Sequence, residues 1–509
     1  MKKKSINPLK TVRALLAVIL FIPVLALFLD FADVLPDSLC SLLHLQLMPA
    51  ILSGAGVVLV FFFLLTLFFG RIYCSILCPA GILQDIFNRL ACFGGKKKRG
   101  AMRFHYRKPA NWLRYSILGV TALAAIFGFM ELCLLLDPYS NFGRITTHLF
   151  RPVVIGLNNL ISGILSAHGN YFLYAVSVDR SMTALVTAVM AFIIFAVMAF
   201  YRGRLFCNTI CPVGSLLSII SRHSFFLFKI DSDTCNGCKA CERSCKAEAI
   251  DSLHKTVNMS NCVACFNCIS SCNRGAVGFR WGKVGEMGES REQGVSRRSF
   301  IASSVAVAGS VPFVALAQGE NTTGRKAPVT PPGSLNLERF KKFCTGCHLC
   351  VVHCPSHVLK PAGLEFGWSY LLKPHMSYDK SYCNYSCTVC GEICPTHAIK
   401  TITVDQKKIT QMGVAHFDSD KCVVKTDETD CGACVEHCPM QAVHMVPYKG
   451  ILTIPKVEQE LCIGCGACES ICPVRPERAI VVIANAIHQT AELQPEEEIR
   501  QVELDNFGF

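Results

Sequence analysis

The sequence predicts a multidomain protein in which an all-α polytopic membrane domain is joined to α+β domains, and three observations carry that expectation. Long apolar runs fill the chain before Arg202, most of the cysteines come after them, and 24 of those fall into six groups of four at similar spacing. At 509 residues and 51% hydrophobic content, the chain is too long for one ordinary core and unusually apolar for a soluble protein.

The membrane domain is assigned to residues 1–225. Four runs, about Val12 to Leu29, Met48 to Phe69, Trp112 to Leu136 and Met182 to Tyr201, are long enough, or nearly so, to cross a bilayer as helices. Loop charge orients them. Residues 70–111 are rich in bases, including Lys96, Lys97, Lys98 and Arg99, whereas residues 30–47 carry Asp30, Asp33 and Asp37 and no base. The amino terminus, with Lys2, Lys3 and Lys4, is therefore expected inside, and four crossings return the chain to the cytoplasm near Arg202. The net charge of +13 belongs to this pattern. No basic stripe is interleaved with aromatics, so nucleic acid is not an expected partner.

Within the membrane domain one motif occurs twice. Gly70-Arg71-Ile72-Tyr73-Cys74-Ser75-Ile76-Leu77-Cys78-Pro79-Ala80-Gly81 recurs as Gly203-Arg204-Leu205-Phe206-Cys207-Asn208-Thr209-Ile210-Cys211-Pro212-Val213-Gly214. Each copy follows an outside-to-inside helix, which suggests two helix pairs related by duplication. On a helix, C-x3-C puts both thiols on one face. Cys74, Cys78, Cys207 and Cys211 are thus candidate ligands of a further metal or cluster; a thiol–disulfide relay and a structural helix start at Pro79 and Pro212 are the alternatives.

Residues 226–290 form the next domain. Cys235, Cys238, Cys241 and Cys245 are spaced C-x2-C-x2-C-x3-C, and Cys262, Cys265, Cys268 and Cys272 repeat the spacing. This is the ligand pattern of ferredoxin-like 4Fe-4S domains, in which the fourth thiolate of each group crosses to the other cluster. One cluster is therefore expected on Cys235, Cys238, Cys241 and Cys272, the other on Cys262, Cys265, Cys268 and Cys245.

Residues 291–320 carry Ser296-Arg297-Arg298-Ser299-Phe300-Ile301 ahead of the weakly apolar run Ala302 to Ala317. This reads as a twin-arginine export signal, either cleaved after Ala317 or kept, or else as an ordinary fifth transmembrane anchor. A Pro-rich linker follows at 321–336. Either way, residues 337–509 are expected on the far side as a four-cluster domain, with a solvated acidic tail at Glu496, Glu497 and Glu498.

In that domain Cys344, Cys347, Cys350 and Cys354, and likewise Cys462, Cys465, Cys468 and Cys472, keep the regular spacing. Cys383, Cys387, Cys390 and Cys394 open with x3, and Cys422, Cys431, Cys434 and Cys438 open with x8, as loop insertions do. The four groups pair either in order or as first with last around the middle two. Altogether 24 of the 31 cysteines are candidate ligands of six 4Fe-4S clusters; zinc or a disulfide framework would not require six such repeats. Cys40, Cys92 and Cys133 stand alone and read as structural. His44 and His148, near expected membrane ends, are candidates to touch a quinone, although a lone histidine is more often a satisfied core residue.

At these motifs the chain resembles a fusion of two accessory ferredoxin families of periplasmic nitrate reductase systems. The first 280 residues resemble the NapH/MauN group, with a membrane core also similar to NosR and CcoG, and the part from Arg297 onward resembles the twin-arginine-exported NapG/MauM group. The resemblance implies a multi-pass protein of the bacterial cytoplasmic membrane. Its two-cluster domain would be cytoplasmic and its four-cluster domain periplasmic. It would pass electrons from the quinone pool or a cytoplasmic donor to a periplasmic reductase or cytochrome. A metallo-centre maturation or regulatory redox role is the alternative. No substrate-transforming residues are apparent, so the chemistry would belong to clusters and quinol.

Overall fold

The computed structural model describes residues 7–32, 34–93, 104–177, 181–282 and 327–493. The twin-arginine segment, the first part of the linker (321–326) and the acidic tail lie outside the described residues. The chain divides into two compact units, one comprising 1–320, 338–375 and 389–401, the other 321–337, 376–388 and 402–509. The sequence reading drew 337–509 as a single domain; here it contributes to both units.

Among the described residues of the first unit three helices are long and apolar enough to cross a membrane: Pro8–Leu29, Pro138–Ala167 and Met182–Arg202. Pro8–Leu29 starts where Asn7 accepts a hydrogen bond from the Leu9 N–H and Pro8 occupies the first turn. Its Leu15, Ile19 and Ile22 face outward, as lipid-facing side chains do.

Two expected spans are broken. The second is split into Leu47–Ser53 and Gly56–Phe69 by Gly54, whose φ of +71° closes the first piece as a left-handed cap. The third ends at Ile126 and resumes at Glu131–Leu136, with Gly128 at φ +85° between. Conversely, the 30-residue helix Pro138–Ala167 stands where the sequence reading placed none. Its first turns, Pro138–Ile145, are polar and buried, capped by Asp137, which accepts from the Ser140 N–H at 2.7 Å. It then passes through one π-helical turn at Thr146–Phe150. Apolar composition alone does not reveal a polar helix buried inside protein.

Residues 226–281 build a small α+β module on this unit. Phe226–Ile230 pairs antiparallel with Val277–Trp281, and Ile250–Asp251 with Thr256–Val257, with helical turns Ala240–Arg243 and Asn267–Ser271 between. The Phe225 N–H bonds Leu67 O at 2.9 Å, tying the first strand to the apolar helix Gly56–Phe69. Residues 371–372 join the same unit through an apolar cluster of Leu134, Ala184, Leu371 and Leu372. Beside that cluster, the buried Lys373 ammonium bonds the Glu131 carboxylate at 2.8 Å.

The second unit repeats the α+β plan. Thr410–Phe417 pairs antiparallel with Ile480–Thr490, and Val443–Pro447 with Thr453–Val457, again with short helices, Ala433–Glu436 and Ala467–Ile471, following cysteine loops.

Candidate iron-sulfur sites

Four of the six cysteine groups share one backbone device. In each, the residues just before and just after the second cysteine have positive φ: Gly237 and Lys239, Ala264 and Phe266, Gly346 and His348, Gly464 and Gly466. Alternating handedness turns successive backbone N–H groups into one concavity, a nest suited to an anionic iron–sulfur group. Five groups also have a left-handed residue three places after their last cysteine, at Glu248, Gly275, His357, His397 and Gln441. The non-glycine residues among these accept strained backbone, so the loop conformation is set by something other than local preference.

The folds bring thiols from different groups together. Around residues 226–281, Cys241 interacts with Cys235 and Cys272, while Cys268 interacts with Cys262, Cys265 and Cys245. This is the crossed pattern expected from the spacing. In the first unit Cys344, Cys347 and Cys350 are joined by Cys394. In the second unit Cys438 joins Cys462, Cys465 and Cys468, and Cys472 joins Cys422, Cys431 and Cys434. Cys394 thus approaches the first group and Cys438 and Cys472 are exchanged between the last two, while the Cys383 N–H bonds Cys465 O at 3.0 Å. A small pocket is lined by Cys438, Cys462, Cys465 and Cys468 together with Pro439, Ile463 and Val482, so this donor set borders a space.

Burial pushes the Cys245, Cys344, Cys347, Cys434 and Cys465 thiols up to about 12, with neighbouring thiols adding to the shift in each case. Four such groups crowded in an apolar loop do not ionise together on their own; iron, when bound, would supply the positive charge that lets them act as thiolates. Among the described residues no three His, Cys, Asp or Glu side chains are close enough to hold one metal ion, and no disulfide joins the described cysteines. The donor sets thus fit a multi-iron group better than a single ion.

The duplicated motif forms a second kind of site. Cys74, Cys78, Cys207 and Cys211 are all buried and interact with one another. Each copy reaches into the other. Arg71 donates to Cys207 O at 2.8 Å, and Arg204 donates to Cys74 O at 2.6 Å. The motif glycines allow it: a Cβ on Gly81 would lie 2.4 Å from Cys74 O, and one on Gly214 2.3 Å from Cys207 O. Pro79 and Pro212 each start a helix.

Sequence reasoning missed the groups that hold these arginines. The half-buried Asp85 carboxylate accepts from Arg204 Nε and Nη2 at 2.9 and 2.8 Å, pairs with Lys246, and lies 3.9 Å from Arg13. Burial alone would raise the Asp85 pKa, but Arg204 and Lys246 overcome it and hold the carboxyl well below the usual range. Nothing local marks Asp85; only its three cations, from distant parts of the chain, give it a role.

The isolated candidates have ordinary partners. His44 stacks on His397 at 5.3 Å, His148 Nε2 lies 2.7 Å from His348 Nδ1, and Cys133 Sγ donates to Thr121 O at 3.4 Å.

Comparison with known proteins agrees with this chemistry. A family model described as a 4Fe-4S binding domain matches residues 52–100 and again 183–231, the two copies of the duplicated motif. Models described as 4Fe-4S dicluster domains match 227–273 and 429–475. An uncharacterized protein of Methanocaldococcus jannaschii is 41% identical over 86 residues, 17% of this chain and 34% of its own length; the chain therefore spans about a third of that relative. Ferredoxin-type protein NapG of Escherichia coli is 28% identical over 37% of this chain and 85% of its own. The methylamine utilization ferredoxin-type protein MauM of Methylobacillus flagellatus is 33% identical over 192 residues, 35% of this chain and 77% of its own. No solved structure matches. With multiple 4Fe-4S domains and this extent of likeness, the chain belongs to the family of iron–sulfur, ferredoxin-type electron-transfer proteins that includes MauM.

Proposed function

We propose that the six four-cysteine groups hold six 4Fe-4S clusters and that the chain is a membrane-bound, quinol dehydrogenase-type electron-transfer module. The ligands would be Cys235, Cys238, Cys241 and Cys272; Cys262, Cys265, Cys268 and Cys245; and the sixteen cysteines from Cys344 to Cys472, paired in order. The reading is carried by the exchange of fourth cysteines between groups. Two cubes that trade a ligand are held side by side, which suits one-electron hops along a chain of centres.

The helices Pro8–Leu29, Pro138–Ala167 and Met182–Arg202 support a membrane setting. The charge asymmetry of the loops supports a cytoplasmic two-cluster module and a four-cluster part on the periplasmic side. Electrons would then pass from quinol, or from a cytoplasmic one-electron donor, to a periplasmic reductase or cytochrome. The likeness to MauM and NapG favours electron delivery as the role, while leaving the acceptor to be identified.

The test adds a reduced quinone analogue to the purified full-length protein under anaerobic conditions and follows the clusters by electron paramagnetic resonance. Reduced-cluster signals on the timescale of turnover are expected. Their absence, in protein that dithionite does reduce, overturns the quinol assignment and leaves a cytoplasmic donor.

A further inference from the structure

We propose that Cys74, Cys78, Cys207 and Cys211 together ligate one more iron–sulfur cube, shared between the two copies of the repeat. Each copy supplies two thiols, half of what a cube requires, so neither matched 4Fe-4S segment could hold one alone. The fold brings the halves together: the four thiols are 2–3% exposed and mutually interacting.

Three further features point to an anion at this place. Three buried guanidinium groups border it, Arg71 on Cys207 O, Arg204 on Cys74 O and Arg13 on Ser75 O, and Asp85, shared by Arg204 with Lys246, is the carboxylate set among them. More positive than negative charge is thus gathered at the motif, which is costly inside protein. A cube on four thiolates is a net anion and would offset it. The sulfurs also have donors: Gly214 N–H to Cys211 Sγ at 3.2 Å and Gln84 Nε2 to Cys207 Sγ at 3.4 Å. Hydrogen bonds of this kind tune the potential of a cluster. Finally, Arg71 spans two sites, donating to Cys207 O and, at 3.0 Å, to Ser260 O, two residues before Cys262. The shared site therefore adjoins the Cys262, Cys265, Cys268 and Cys245 set. Between the two, one electron would leave one centre as the other is reduced, with no bond made and no proton moved.

This rests on the cluster chemistry proposed above and not on quinol, and its test uses no quinol. In the full-length protein, prepared anaerobically, iron and acid-labile sulfide are counted per chain and the iron is typed by Mössbauer spectroscopy. Seven cubes give about 28 iron atoms; about 24, or one zinc per chain, overturns the proposal. Cys78→Ser with Cys211→Ser should remove about four irons and one reduced-cluster signal while the other signals persist; unchanged iron overturns it. Should that variant not fold, Gln84→Leu keeps the ligands and removes one donor to sulfur. A redox titration should then show one midpoint moved to more negative potential with iron content intact, and no moved midpoint overturns the proposal.

Discussion

Neutralising Asp85 tests the electrostatic frame of the duplicated-motif site. Asp85→Asn keeps the shape of the side chain but leaves Arg204, Lys246 and Arg13, whose side chains are 0%, 6% and 7% exposed, without their shared carboxylate. Removing one partner of a buried ion pair costs about 3–5 kcal/mol, equivalent to roughly a 10²- to 10⁴-fold shift in the unfolding equilibrium. The sign with pH follows from the depressed carboxyl. Its stabilisation is complete above the ordinary Asp pKa of about 3.9 and is lost as pH falls through the lower folded value. The deficit of the variant should therefore be constant near neutrality and shrink in acid below about pH 4. Unfolding of detergent-solubilised wild type, Asp85→Asn and Asp85→Asn with Lys246→Met, followed by visible cluster absorbance, measures it. The double variant should recover part of the loss because one stranded charge has gone. A single variant within about 1 kcal/mol of wild type would refute the account, as would a double variant worse than the single.

Gly81→Ala and Gly214→Ala should each destabilise by about 3 kcal/mol or more, from overpacking against a backbone carbonyl plus a weakened arginine hydrogen bond; Gly119→Ala, with nothing within 4 Å of its added Cβ, should not. Thermal melts of the three variants decide it. Cys438→Ser should remove the resonance signal of the cluster on Cys462, Cys465 and Cys468, leaving the one on Cys422, Cys431 and Cys434 intact. The reverse outcome, with only the second signal lost, refutes the crossed arrangement. His488, whose Nε2 lies 2.8 Å from Thr330 Oγ1, is pushed down to about 4 by burial. Between pH 6.5 and about 4 the unfolded chain binds the proton and the folded one does not. The second unit should thus lose up to about 1.4 kcal/mol per pH unit as pH falls through that window, and His488→Gln should flatten the slope of a pH-dependent melting series.

The amino-acid sequence by itself determined the six cysteine groups and the long apolar runs. Both are local: C-x2-C-x2-C fits a nest loop a few residues long, and an apolar run such as Pro8–Leu29 carries its own signal in composition. The turns that split two expected spans were also written locally, in Gly54 and Gly128, but weighing a glycine against an apolar run requires knowing which side chains the bend lets touch. Tertiary structure alone decided the rest. It chose Cys394 for Cys344, Cys347 and Cys350, and Cys438 for Cys462, Cys465 and Cys468. It also buried the polar helix start at Asp137 and joined Arg71, Arg204 and Asp85 across more than a hundred residues of chain. Such contacts have no spacing or period to read, because their energy arises only when distant groups are desolvated together.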